Sequence, residues 1–361
     1  MKVMMFLHDA YGGHGGISRN NRDVLDALVH DPRVEQIVAL PRIAGDGSEA
    51  IPAKVDWRVS AAGGIRAFLS ESLRALAATQ PDLILAAHIR LLPAAYLAKL
   101  ATGAPLWLFI YGIDAWDRPK NPLLTWLARR ADRVISISEV TTARFQDWAH
   151  LPAGRFRLLP CSVDFDLFRP GSRDPALAER YGLAGKQVLF TFGRLVSEQR
   201  AKGMDEVMQA MPGLLPDYPD LVYLIGGSGP DRPRLEAKAK ALGLADRVIF
   251  TGRIAEEEKV AHYHLADAYV MPSRGEGMGI VILEAMAAGV PAMASAKDGS
   301  RETMRDGMLG PIVDPDDPAS VAAGIRAALA RPRGRPEGLD YFSRESFRRR
   351  LSGLLDEVAD R

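Results

Sequence analysis

Cysteine is all but missing from this chain: Cys161 is the only one in 361 residues. That excludes an internal disulfide and any metal site built on several thiolates, and it fits a reducing compartment. Buried in a protein core, a lone thiol is a small packing residue. Long apolar runs are missing as well. No stretch is long enough to span a bilayer, and the opening from Met1 to Asp9 holds too short a run for a signal peptide and reads as a first strand. Nor is there an excess of one charge. Lys and Arg number 46 against 45 Asp and Glu, a formal net charge of +1, which argues against a nucleic-acid binder driven by bulk electrostatics. The expectation is a soluble cytoplasmic protein, or one attached peripherally to the inner face of the membrane. What is there in quantity is apolar surface: 47% of residues are hydrophobic, enough for two cores in a chain of two-domain length.

Those residues fall into short apolar runs separated by amphipathic stretches. Strands are expected at 3–7, 36–40, 83–87, 106–111, 134–137 and 156–159. Helices are expected at 17–29, 65–78, 91–100, 123–131 and 140–148. After a joint at Pro160–Pro170 the plan repeats, with strands at 188–192, 221–225, 248–250, 268–271, 291–294 and 311–313. The helices between these are placed at 204–211, 232–242, 256–266, 280–288 and 319–329. Apolar strands alternating with helices make parallel sheets covered on both faces. Ligands then sit beyond the carboxyl ends of the strands. The joint spells Asp164-Phe-Asp166, an acidic pair of the kind that binds divalent metals, but it does not follow a nucleotide-binding strand, and no metal is expected there.

The informative stretch is Met271–Pro291, a strand end, a loop with Gly275, Gly277 and Gly279, and a helix. Glycines let backbone approach backbone, and the unpaired N–H groups of a helix start face an anion. Glu276 in the loop and Glu284 one turn into the helix add two acceptors suited to sugar hydroxyls. The bland alternative is a helix with two solvated acids. Further back, Gly193-Arg194 ends the first strand of the second half, and Lys202 follows eight residues later. A bidentate fork and a point charge beside a glycine suit a diphosphate. Gly227 lies in another strand-to-helix turn. In the first half, Tyr11–Arg19 is a glycine loop opening a helix, without the dinucleotide spacing and without an acid closing the second strand, which disfavours a nicotinamide dehydrogenase. Between Arg118 and Arg157 basic residues outnumber acidic ones, with Trp116, Trp126 and Trp148 interleaved. Two readings stand: solvated helix faces over core tryptophans, or a surface resting on anionic lipid.

Glu276, seven residues, Glu284 and then Ala-Met-Ala-Ala-Gly-Val-Pro resembles the signature of family 4 retaining glycosyltransferases of the GT-B fold. The resemblance implies an α/β protein of two Rossmann-like doubly wound parallel-sheet domains facing across a cleft: an acceptor-side domain at 1–165 and a nucleotide-sugar-binding domain at 171–340. The tail at 343–361, with Phe347, Leu351, Leu354, Leu355 and Val358 on one face, would cross back to the first domain; an oligomer contact is the alternative. It further implies that Glu284 holds the donor ribose and Glu276 the transferred sugar, helped by the backbone of Met278 and Gly279. Arg194 and Lys202 would neutralise the departing diphosphate, Gly15 and Gly16 would lie against the donor, and Arg253 and Ile254 along its base. Where the family has a histidine this chain has Tyr111, a poor base near neutral pH; Gly112 and Asp114 follow as expected, and Asp114 becomes the better candidate for a substrate hydroxyl. No cofactor and no metal are expected. The partners implied are a nucleotide-sugar donor and a glycan or lipid-linked acceptor, as in cell-surface polysaccharide or lipopolysaccharide assembly. A nucleotide-sugar epimerase and a catalytically inactive nucleotide-sugar-binding protein are the competing readings.

Overall fold

The computed structural model describes residues 1–13, 15–45 and 50–359, without the side chains of 198–200. It divides into two compact units. The first comprises Met1–Ser162 and the C-terminal helix from Arg344; the second is Val163–Ser343. His14 of the first glycine loop, and the last two residues of the expected tail helix, lie outside the described residues.

Among the described residues the first unit carries seven parallel strands: β1 (Lys2–Leu7), β2 (Gln36–Pro41), β3 (Val55–Trp57), β4 (Leu83–Ala86), β5 (Leu106–Ile110), β6 (Arg133–Ser136) and β7 (Phe156–Leu158). Their order is β3-β2-β1-β4-β5-β6-β7. Val3 to Leu7 are fully buried, as they must be when helices cover both faces, and Met4 sits between Val38 and Ile84. β3 had no sequence signal: three residues, Val-Asp-Trp, are too few to show a period. The helices begin and stop where local chemistry allows. Ser138 accepts from the Thr141 N–H at 3.1 Å to cap the helix Glu139–Ala149. Gly103, at φ 76°, ends the helix Leu92–Thr102 in the left-handed region. The C-terminal helix Arg344–Ala359 buries Phe347, Leu351 and Leu355. Arg348 ion-pairs with Asp26 at 2.7 Å, and Glu357 takes Arg133 at 2.6 Å and Arg157 at 2.5 Å. This helix is therefore part of the first unit's own core.

The second unit has β8 (Gln187–Phe192), β9 (Leu221–Gly226), β10 (Val248–Gly252), β11 (Ala268–Val270), β12 (Ala292–Ser295) and β13 (Ile312–Val313). The order is β10-β9-β8-β11-β12-β13. The chain winds outward one way from β8 and then the other way from β11. Neighbouring strands at such a reversal send their connections to opposite faces, and a crevice opens beyond their carboxyl ends. The segments that follow β8 and β11 carry the Arg194–Lys202 pair and the Glu276–Glu284 pair expected from the sequence.

Some expectations needed adjustment. The helix expected at 256–266 opens with a tighter turn, Glu256–Glu258, before Lys259–Leu265. The short helices Ile113–Trp116, Pro175–Arg180 and Ser300–Thr303 were not foreseen. Of the interleaved tryptophans, Trp148 is buried, its Nε1 donating to the Ala115 carbonyl at 3.0 Å. Trp126 is exposed, with the Arg130 guanidinium 3.5 Å above its ring. In the joint, Asp164 accepts from the N–H groups of Asp166 and Leu167 at 2.9 and 3.1 Å, which makes it a turn former.

Candidate nucleotide-sugar site

Four loops of the second unit meet by backbone, and glycines make that possible. A Cβ on Gly227, whose φ is 124°, would lie 1.9 Å from the Gly193 carbonyl oxygen, so the turns after β8 and β9 touch. A Cβ on Gly203 would lie 2.4 Å from the Pro272 oxygen, which joins the loops after β8 and β11. A Cβ on Gly299 would lie 1.9 Å from the Gly277 oxygen, joining the loops after β11 and β12. No side-chain-bearing residue fits at these contacts.

Into this frame the cations and acids project. Gly193 leaves room for the stem of Lys202, whose Cδ would be 2.7 Å from an added Cβ. Lys202 then reaches Glu276 and ion-pairs with its Oε1. Arg194 is exposed on the same loop and lines a small crevice with Leu195, Met204, Asp205 and Arg234. Glu284 lies in the helix Ile280–Ala287 and is almost completely buried. Its carboxylate is held by Lys259 Nζ, 3.0 Å from Oε1 and 2.9 Å from Oε2, and by the Tyr263 hydroxyl, 2.6 Å from Oε2. A charge so far from water survives only with partners of this kind. Lys259 itself lies against the rings of Phe168 and Phe192. The glycine loop is further fixed by Arg274, which ion-pairs with Glu206 at 2.5 Å and Asp316 at 2.7 Å. Gly279, at φ 80°, starts the Glu284 helix, and the Met278 carbonyl accepts from Thr303 Oγ1.

Arg194, Lys202, Gly227, Glu276, Met278, Gly279 and Glu284 are thus brought to the carboxyl edge of one sheet. Arg253 is exposed just past β10, whereas the Ile254 side chain is buried, its Cδ1 2.8 Å from where a Cβ on Gly226 would stand. Lys259 and Tyr263 had no signal in the sequence, since a helix 20 residues and more upstream gives no hint of the acid it will face. Asp298 could have been found, because it follows a strand end as ligand-side residues do.

The remaining candidates belong to the first unit. Gly15 precedes the helix Gly16–His30 at φ 101°, and a Cβ on it would meet no described atom. Tyr111 is buried and its hydroxyl donates to Asn21 Oδ1 at 2.7 Å. Burial, then the charge of Asp114, pushes the phenol well above its usual range. With its proton given to Asn21, the phenol oxygen can only accept a hydrogen bond from a substrate hydroxyl. Asp114 differs. Its Oδ2 is sealed from solvent without a hydrogen-bond partner among the described residues, and burial pushes its carboxyl up to about 7. Sequence reading also missed the contact of His8, at the end of β1, with His88, at the end of β4. Their rings pack edge to face at 4.6 Å at the corresponding reversal of the first sheet.

Two doubly wound parallel sheets, the second with its glycine loops gathered at the strand reversal, define the GT-B class of fold. The solved structure of Anabaena HepE in complex with UDP matches with a TM-score of 0.75, covering 99% of this chain and all of that one at 20% identity, a likeness of fold alone. The Glycosyltransferase Family 4 profile matches residues 14–167 and the Glycosyl transferases group 1 profile residues 176–346. The chain belongs to glycosyltransferase family 4. Among curated relatives, a GDP-mannose-dependent α-(1-6)-phosphatidylinositol monomannoside mannosyltransferase of Mycolicibacterium smegmatis is 37% identical over 241 residues, 62% of each chain. A D-inositol 3-phosphate glycosyltransferase of Geodermatophilus obscurus is 38% identical over 56% of this chain and 46% of its own. The match therefore spans about half to just under two thirds of these relatives.

Proposed function

We propose that the protein transfers a hexose from a nucleoside-diphosphate sugar to an acceptor hydroxyl with retention of anomeric configuration. The observation that carries this reading is the placement of a Lys202–Glu276 ion pair and the clamped Glu284 at one strand reversal. Without donor, Glu276 neutralises Lys202. A donor diphosphate is the stronger partner for that cation, and with Arg194 it takes two positive charges where negative charge builds up as the leaving group departs. Glu276, released, accepts from hydroxyls of the sugar, while the remaining lone pairs of Glu284 accept from the ribose. No protein nucleophile is required: the departing phosphate oxygen takes the acceptor's proton on the same face of the sugar. No metal is needed for charge neutralisation either, because the two cations supply it, so a chelator leaves transfer intact.

Relatives that act on phosphatidylinositol mannoside and inositol phosphate favour a GDP-hexose donor and a lipid-linked or phosphorylated glycan acceptor, in assembly of cell-surface glycans on the inner face of the membrane. A peripheral contact is favoured by the outer side of the helices Leu92–Thr102 and Pro122–Ala128. Leu97, Leu100, Leu123 and Trp126 are exposed there, beside Arg130. Co-sedimentation with anionic but not neutral vesicles is the expected result, and equal recovery with both contradicts this contact. The donor is identified by a thermal-shift panel of GDP-mannose, UDP-glucose and ADP-glucose. A rise in midpoint with GDP-mannose is expected; no rise with any of the three overturns the reading.

A further inference from the structure

Asp298 lies three residues past β12 and has no exposed surface. Each of its oxygens accepts two hydrogen bonds. Oδ1 takes the Ser300 N–H at 3.0 Å and the Ser300 hydroxyl at 2.6 Å; Oδ2 takes the Ser273 hydroxyl at 2.7 Å and the Glu276 N–H at 2.9 Å. A buried carboxylate is costly, and only a full set of donors makes it tolerable. This one uses its donors to tie two loops together, the one after β12 and the one after β11. The next residue completes the grip: the Gly299 N–H donates to the Glu276 carbonyl at 2.9 Å. Both backbone groups of Glu276 are therefore held by consecutive residues of a neighbouring loop, while its side chain pairs with Lys202. Glu284 is anchored quite separately, by Lys259 and Tyr263 on another helix.

We propose that Asp298 is a positioning residue that fixes the sugar-contacting half of the donor site, Glu276, independently of the nucleotide-contacting half, Glu284. The inference rests on the reading of Glu276 given above. Loss of the clamp lets the loop after β11 drift, and a misplacement of about 1 Å at a group that acts on the reacting sugar costs on the order of 100-fold in rate. The nucleotide half does not move, so nucleoside-diphosphate affinity stays.

The experiment compares wild type with Asp298→Asn and Ser273→Ala, reading release of GDP from GDP-mannose without acceptor and calorimetric binding of GDP. Asparagine keeps the volume but turns an amide donor toward one pair of donors. Ser273→Ala removes one bond without leaving a buried charge unpaired, and it keeps the test valid if Asp298→Asn does not fold. The expected result is a kcat for donor hydrolysis lowered roughly 10- to 100-fold in Asp298→Asn and less in Ser273→Ala, with GDP Kd within about twofold of wild type in both. Tyr263→Phe provides the contrast, since it loosens Glu284 and weakens GDP. An unchanged kcat in both variants overturns the inference, as does a GDP Kd that rises in step with the fall in kcat. A wild-type protein that neither binds GDP nor hydrolyses GDP-mannose overturns the donor-site reading itself, and this inference with it.

Discussion

Asp114 is half-buried with one oxygen sealed from solvent, Glu284 is almost completely buried, and their surroundings treat the two acids oppositely. Glu284 has a lysine and a phenol on its oxygens; Asp114 has one sealed oxygen with no partner among the described residues, and its carboxyl is pushed up to about 7 by burial. A folded-state value above the unfolded 3.8 means that the native protein holds this proton more tightly. The stability tied to it is complete below about pH 4 and is lost as pH rises through 7. Replacing Asp114 by Asn, which stays neutral, should leave stability near pH 4 little changed and raise it at pH 8 by on the order of 1–4 kcal/mol. Urea denaturation of both proteins at the two pH values checks this; equal differences at pH 4 and pH 8 would mean that Asp114 titrates normally. Asp114 and Glu284 could be picked out from sequence because each stands at a fixed place in a strand–loop–helix unit. Their environments could not. Whether a carboxylate finds a cation such as Lys259 or keeps an oxygen sealed without one depends on which helix packs beside it, and the spacing of neighbours along the chain carries no such information.

At the scale of elements, the site is a set of turns pressed backbone to backbone. Gly227 illustrates what that demands. Its φ of 124° and the Gly193 oxygen at 1.9 Å from a built Cβ forbid any side chain. In Gly227→Ala the turn after β9 must back away from the turn after β8, taking Arg194 with it. Nucleotide affinity should fall about tenfold or more, and the protein should lose about 1–3 kcal/mol of stability. A variant with wild-type binding and melting behaviour would show that the two turns are not locked. The strands and most helices were legible in the sequence because their apolar periods are strong and several are bounded by a proline, a glycine or a capping residue, as at Ser138 and Gly103. Val55–Trp57 was not, being an edge strand of three residues that depends on β2 for its pairing. Short helices such as Ser300–Thr303 escaped for a similar reason: four residues carry no period, and this one exists because Asp298 organises the turn before it.

At the scale of the whole molecule, each unit repeats the same plan, a parallel sheet whose winding reverses once. In the second unit the reversal gathers Arg194, Lys202, Glu276 and Glu284; in the first it brings together His8 and His88. The sequence announced the second site and not the first, because cations, glycines and acids in that order have few purposes other than a sugar nucleotide, whereas two histidines 80 residues apart announce nothing until β1 and β4 are paired. The central claim is that the four charged residues of the second unit hold one nucleotide sugar. Isothermal titration of GDP-mannose into wild type, Glu284→Ala and Lys202→Ala tests it most directly. The account predicts a single binding site whose Kd rises about 100-fold without Glu284, as expected if charged hydrogen bonds to the ribose are lost, and about tenfold or more without Lys202. Donor affinity unchanged in both folded variants would contradict it.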